Sequence, residues 1–388
     1  MNLIPSSLEA GYTQLQTKGR VMSSSRLSKY FKIGLVLSII CFLVILLQPL
    51  SVAQKYNEKY NLVTINNAIP NFVHYVHIKA SPDTKLEFRF AHFLSLYAAV
   101  LNVRASKVYI HTDYSASEIA EAGRKGGMWT KKVMNTFPEL IEWKPVQVPQ
   151  YAGTNENVKV KALQHKSDFL RWSTIAPIGG VYMDWDVIVL RPLKPLLNAG
   201  FAVVAGRQMH NDPNDHNGSN GEMNNGIFMT RANSLMANIM AREQSANFAD
   251  EWSDNLKFMT RVAERLVSVP GEVLICDRNA FNPTTWMQEA KDQLFLTHNE
   301  TSPEPREVDV SDPVEAYQTV LWNRRARAEW EWEFSSSYTI HAFGQSHYYE
   351  WVTPKKILGR TSNYGVAAWS IVKKMVKDGA ISGKEDNW

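Results

Sequence analysis

Cysteine is nearly missing from this 388-residue chain: Cys41 and Cys276 are the only two. Cys41 lies inside an uncharged run, so no disulfide can form within the part that follows, and an ordinary apolar core must hold that part together. Charge bias is missing too. There are 42 Lys and Arg against 38 Asp and Glu; five bases and one acid lie before residue 33, leaving 37 of each after it. A neutral body of this kind gives no electrostatic footprint for nucleic acid. No internal repeat is visible. Only one uncharged run reaches membrane length, the 21 residues from Ile33 to Ala53 between Lys32 and Lys55.

Lys18, Arg20, Arg26, Lys29 and Lys32 precede that run, and only Lys55 and Lys59 follow closely. The positive-inside bias predicts a cytosolic N-terminus and a luminal remainder, anchored by one N-terminal helix. A cleaved signal peptide is the competing reading, since Ser51-Val-Ala53 resembles a cleavage site, but 32 residues is long for the charged region of such a peptide. The expected order is a cytosolic tail over 1–32, a signal anchor over 33–53, a stem over 54–68, one domain over 69–351 and a C-terminal extension over 352–388. A type II protein of the Golgi or endoplasmic reticulum membrane fits this layout. Asn217-Gly-Ser and Asn299-Glu-Thr are glycosylation sequons consistent with a lumen.

Within the domain, Phe72–Ile78, Lys107–His111, Leu140–Val148, Phe201–Gly206 and Asn225–Thr230 read as strands. Leu86–Val103, Gly127–Phe137, Val158–Pro177 and most of Ser234–Val267 read as helices. Alternation of this kind predicts an α/β sandwich with parallel strands, whose ligands sit beyond the strands' carboxyl ends.

At one such end stand two acids. Gly180-Val-Tyr-Met-Asp-Trp-Asp-Val-Ile-Val-Leu190 reads as one strand, which would put Asp184 and Asp186 on one face and Trp185 on the other. Two carboxylates on one face suit a hard cation, Mn²⁺ or Mg²⁺, which completes its shell with water and phosphate oxygens and so points to a diphosphate-bearing substrate. On the preceding helix Lys161, His165, Asp168 and Arg171 share a side.

Ser167-Asp-Phe-Leu-Arg171, Gly179-Gly-Val-Tyr-Met-Asp-Trp-Asp186 and Val187-Ile-Val-Leu-Arg-Pro-Leu193 together resemble the Asp-x-Asp sugar-binding region of glycosyltransferase family 32. That family includes fungal initiating mannosyltransferases and lactosylceramide galactosyltransferase, and its core is similar to that of the large clostridial glucosylating toxins. The resemblance implies a GT-A type, Rossmann-like α/β/α sandwich, a nucleotide-sugar donor, Mn²⁺ or Mg²⁺, and transfer to a hydroxyl acceptor with retention of configuration. It also implies that Asp168, Arg171 and Asp184 contact the donor and that Asp186 holds the metal. A uridine-diphosphate hexose or N-acetylhexosamine is the expected donor, with guanosine-diphosphate mannose as the alternative; a glycan, a lipid or a small lipophilic metabolite is the expected acceptor.

Five further positions join these by resemblance. His341, closing an apolar run, is a candidate metal ligand against an ordinary structural histidine. Asn225 and Gly226 are candidate donor contacts against a plain Asn-Gly turn, and Ser346 and Trp351 resemble a closing segment over the donor. Other stretches read more plainly. His210–His216 reads as a solvated loop, Trp330, Trp332 and Phe334 as one face of a strand, and Trp369–Lys377 as an amphipathic helix packed on the domain.

Two other functions compete. A haloacid-dehalogenase-type phosphohydrolase also uses Asp-x-Asp after a strand, with the first Asp as nucleophile; its second acid pair would have to come from Asp309-Val-Ser-Asp312. A non-catalytic sugar-binding protein would tolerate loss of an acid, yet Asp168, Arg171, Asp184 and Asp186 are all present.

Overall fold

Seven strands make the central sheet: β1 (Phe72–Val76), β2 (Lys107–Thr112), β3 (Ile141–Pro145), β6 (Gly179–Met183), β8 (Val203–Arg207), β9 (Met223–Arg231) and β10 (Val273–Cys276). Two small pairs stand apart, β4 (Tyr151–Ala152) with β5 (Val158–Lys159), and β7 (Val187–Val189) with β11 (Thr339–His341). This computed structural model describes residues 68–208, 221–308, 311–344 and 348–387, all in one compact unit that begins at Asn67. The expected anchor at 33–53, the His210–His216 loop, Asn217, Asp309 and Ser346 lie outside the described residues. Among the described residues no helix is long and apolar enough to cross a membrane.

The sheet order is β10-β8-β9-β6-β1-β2-β3, and every strand is parallel except β9, which runs against both β6 and β8. Strand order reverses between β1 and β6, and at such a switch point the carboxyl ends open a ligand crevice. Side chains alternate across the sheet. Val73, Tyr75, Val181 and Met183 face a core shared with the helices Phe90–Val103 and Asn363–Lys377. Tyr182, Val203, Ala205 and Phe228 face a second core with the helices Leu163–Ile175, Leu235–Glu243 and Asp254–Leu266. The result is a three-layer α/β/α sandwich.

Several expectations are corrected. The run 180–190 is two strands, because the chain leaves the central sheet after Met183, turns through Asp184-Trp185-Asp186, and re-forms as β7 against β11. The helix over 158–177 spans only Leu163–Ile175, with Val158 and Lys159 in β5. Trp330, Trp332 and Phe334 lie in coil. Trp369, Ile371, Val372 and Met375 of the last helix are buried in the first core, which is the packing its amphipathic pattern predicts.

The two glycines before the Asp pair do more than end a helix. Gly179 and Gly180 have φ of +74° and +129°, and a Cβ at Gly180 would come within 2.6 Å of the Phe72 carbonyl oxygen. Only glycine lets β6 start this close to β1.

Candidate functional site

The turn at the end of β6 is built around Trp185. Its ring stacks on Tyr75 (4.0 Å between centroids, 14° between planes), and its Nε1 donates to the Val76 carbonyl at 3.1 Å. With the indole pinned inward, the two flanking carboxylates face outward, as strand alternation would also have placed them. The Val187 N–H donates to the Asp184 carbonyl at 3.1 Å, and the Asp184 N–H donates to Gly226 O on β9 at 2.7 Å.

Register delivers a third ligand. In the antiparallel β7–β11 pair His341 lies opposite Val187, beside Asp186. His341 Nε2 is 3.3 Å from Asp186 Oδ1, while the other Asp186 oxygen accepts the Gly344 N–H at 2.6 Å. Asp184, Asp186 and His341 each offer one ligand atom, all within 4.8 Å of one another. Gly226 lies directly beneath: a Cβ there would meet His341 Cε1 at 2.5 Å and Asp184 Oδ2 at 3.0 Å. Two carboxylates and an imidazole converging over a glycine floor fit a divalent cation such as Mn²⁺.

A buried polar network adjoins this cluster. Arg171 Nη2 is 3.0 Å from Asp168 and 3.4 Å from Asp184, and Nη1 donates to the Asn225 carbonyl at 2.5 Å. Its guanidinium lies 4.7 Å over the Tyr182 ring, whose hydroxyl donates to Asp184 at 2.7 Å. Asp168 accepts from Asn225 at 2.9 Å and from Asn255 at 2.8 Å, with His165 Nδ1 at 3.4 Å.

Electrostatics separate the three carboxyls. Burial would raise Asp168, but the Arg171 charge and hydrogen bonds from His165 and Asn255 hold it below its ordinary value. Asp186 is likewise held down, against burial, by His341 and the Gly344 N–H. Asp184 goes up, because burial and the Asp186 charge outweigh Arg171. His341 goes up, against burial, because Asp186 and Asp184 favour its cation. A bound cation would take the place of that proton.

Asp168, Arg171, Asp184, Asp186, Asn225, Gly226 and His341 therefore meet in one place. Trp351 ends the short Tyr348–Trp351 helix with its ring 5.0 Å from Phe295. Asn299 is exposed. Tyr182, Asn255, Gly344 and Asn224, whose Oδ1 accepts the Gly226 N–H at 2.8 Å, join the site without having been singled out from the sequence. Tyr182 had a signal, since it precedes Asp184 by two residues on a strand. Asn255, 87 positions from Asp168, had none.

Residues 50–201 match the family described as "Glycosyltransferase sugar-binding region containing DXD motif", a span that holds Asp168, Arg171, Asp184 and Asp186. A curated relative, glucan organizing enzyme 1 of Cryptococcus neoformans var. grubii serotype A, is 28% identical over 132 residues, 33% of this chain and 32% of that protein. The match spans about a third of that relative's length. Among solved structures, the PaToxG glycosyltransferase is 14% identical with a TM-score of 0.35, covering 83% of this chain and 95% of that one. The glycosyltransferase GlyE of Streptococcus pneumoniae TIGR4 is 10% identical with a TM-score of 0.34, covering 79% of this chain and 64% of that one. Residues 50–201 thus resemble a glycosyltransferase sugar-binding region of the DXD type.

Proposed function

We propose that the chain is a metal-dependent, retaining glycosyltransferase of the GT-A type, moving a hexose or N-acetylhexosamine from a uridine-diphosphate sugar to a hydroxyl of an acceptor. The observation that carries this reading is the convergence of Asp184, Asp186 and His341 at the switch point of a parallel sheet, next to the Asp168–Arg171 pair. A Mn²⁺ or Mg²⁺ ion held there supplies Lewis-acid stabilisation of the charge on the departing nucleotide. The chain's own residues orient the donor. Arg171 offers a buried, permanently charged fork to sugar hydroxyls or phosphate. Asp168 and Asp184 accept from hydroxyls, and the Gly226 floor lets the donor approach the backbone.

Asp168 is engaged by Arg171, Asn225 and Asn255, which suits a positioning carboxylate and not a covalent nucleophile. Retention then follows from attack on the leaving-group face, the departing phosphate taking the acceptor's proton. The acceptor is a glycan, a lipid or a small lipophilic metabolite, and the fungal relative's name makes a glucan the first glycan to try. We place the chain as a single-pass type II protein of the Golgi or endoplasmic reticulum membrane with this domain in the lumen.

Against the phosphohydrolase reading, Asp312 of the candidate second acid pair caps the helix Pro313–Arg325, accepting the Val314 and Glu315 N–H groups. The deciding experiment is nucleotide release by the purified protein from a panel of nucleotide sugars, with and without Mn²⁺. One donor should be hydrolysed slowly in a metal-dependent way, and Asp186→Ala should abolish this while leaving the circular dichroism spectrum intact. Near-wild-type turnover by that variant with metal present would remove the assignment.

A further inference from the structure

A cleft of about 290 Å³ lies at the far end of the β7–β11 ladder from the Asp pair. Leu190 and Arg191, which follow β7, line it; Asp186 precedes β7, five residues and roughly 16 Å of extended chain away. The other walls are the Pro313–Arg325 helix, the coil that holds Trp332 and Phe334, and the middle of the last helix, Asn363–Lys377, at Trp369.

The walls combine aromatic faces with polar groups that are already organised. Trp322, Trp332, Phe334 and Trp369 supply the rings, with Arg306 covering one ring at 3.6 Å from the Trp322 centroid. Glu331 accepts from Ser302 at 2.7 Å. Arg324 and Arg327 share Glu333 at 3.4 and 3.0 Å, and Arg360 lies 3.8 Å from Glu304. Arg191 donates to the backbone carbonyls of Phe334 and Ser335.

These pairings narrow the ligand class. An anion would compete with the carboxylates that Arg324, Arg327 and Arg360 already hold. An acyl chain would strip water from Glu331, Arg327 and Asn323 without giving a hydrogen bond back. A neutral polyol avoids both costs, because its hydroxyls donate to the carboxylates and accept from the guanidinium and amide groups, while the C–H face of a pyranose covers an aromatic ring. The volume is near the lower end of the roughly 300–1,000 Å³ range for small-ligand sites, so it fits about one or two sugar rings.

We propose that this cleft is a saccharide-binding site separate from the Asp184–Asp186–His341 centre, holding part of a glycan between Trp322, Trp332 and Glu331. The assignment does not depend on the transfer reaction. Binding of linear tetrasaccharides of glucose, mannose and N-acetylglucosamine to the full-length protein in detergent, followed by calorimetry and ligand-observed NMR, tests it. Trp322 is 37% exposed on a helix with no buried residue, so Trp322→Ala leaves the core untouched; Glu331→Gln is the conservative second variant.

At least one tetrasaccharide should bind, tenfold or more weakly to either cleft variant and with unchanged affinity to Asp186→Ala. No binding at millimolar concentration would overturn the proposal. So would binding that Asp186→Ala abolishes and the cleft variants leave alone, since the sugar would then occupy the metal centre. Nucleotide release measured on the same variants keeps the two readings apart: the cleft variants should retain it, and its absence from the wild-type protein would count against the transferase reading alone.

Discussion

Asn255 holds one oxygen of Asp168 at 2.8 Å from a helix 87 residues downstream, and its own Oδ1 is buried with no hydrogen-bond partner among the described residues. A buried orphan acceptor has an energetic cost, so the residue is kept for the bond it donates. That bond fixes the carboxylate that in turn orients Arg171. Asn255→Ala removes a hydrogen bond to a charged group, about 1.5–3 kcal/mol. If the network is aligned for the donor, kcat/KM for nucleotide-sugar hydrolysis should fall roughly tenfold to a hundredfold. A drop in melting temperature with kcat/KM within twofold of wild type would make the bond purely structural. The clustering of Asp184, Asp186, Asp168 and Arg171 was legible: they are close in sequence, and their spacing on a helix and a strand end carries the geometry. Asn255 and Gly344 were not legible, because their contacts arise only when distant segments pack.

At the scale of elements, the main lesson is the break at residues 184–186. A strand over 180–190 is what the apolar residues on both sides of the Asp pair predict, and the alternation of Asp184, Trp185 and Asp186 is the same in a strand and in this turn. What the sequence cannot display is the change of sheet, since β7 finds its partner in β11, some 150 residues later. The turn is held by Trp185, packed on Tyr75 and edge-on to His77 and His92 at 5.8 and 5.4 Å. Trp185 is half-buried, so Trp185→Ala should cost less than the roughly 3–5 kcal/mol of fully buried aromatic truncations, and it should weaken Mn²⁺ binding because both carboxylates ride on the same turn. Trp185→Phe keeps the ring and loses only the bond to Val76, so it should stay within about 1.5 kcal/mol of wild type and bind metal nearly as well. Equal metal affinity in both variants would show that the turn does not need its anchor. Other elements were readable but easy to pass over. The helix Ala116–Lys125 is announced by Ser115 and Glu118, which form a capping box. The edge strand β10 is four residues long, too short for periodicity to reveal it.

For the whole molecule, the histidines of the parallel strands β1 and β2 make a buried hydrogen-bonded seam that should be acid-labile. His74 Nε2 lies 3.0 Å from the Gly179 carbonyl, so it must carry the proton and donate; His74 Nδ1, 2.9 Å from His111 Nε2, then accepts from His111. Both rings are neutral in this arrangement. Burial, with the neighbouring His111, lowers His74 to about 3, and burial, with Lys144, lowers His111 to about 4. Burial also lowers His77 to about 4. Above the unfolded value near 6.5 neither state binds these protons, and stability is full. Between there and about 4 the unfolded chain takes up protons that the native fold refuses, so stability falls as pH falls, by up to about 1.4 kcal/mol per pH unit for each histidine. The lowered carboxyls Asp168 and Asp186 act in the same direction only below the ordinary carboxylate value, so the two windows separate. Urea unfolding midpoints measured from pH 7.5 to 4.5 should therefore fall steadily below about pH 6.5. His111→Gln, whose amide can still donate to His74, should flatten that slope by roughly one proton. A midpoint unchanged between pH 7 and 5, or an unaltered slope in the variant, would mean that the seam opens to water and protonates without unfolding. In that case the strand pairing between β1 and β2, and not the histidine contact, would be what secures the first half of the sheet beside the donor crevice.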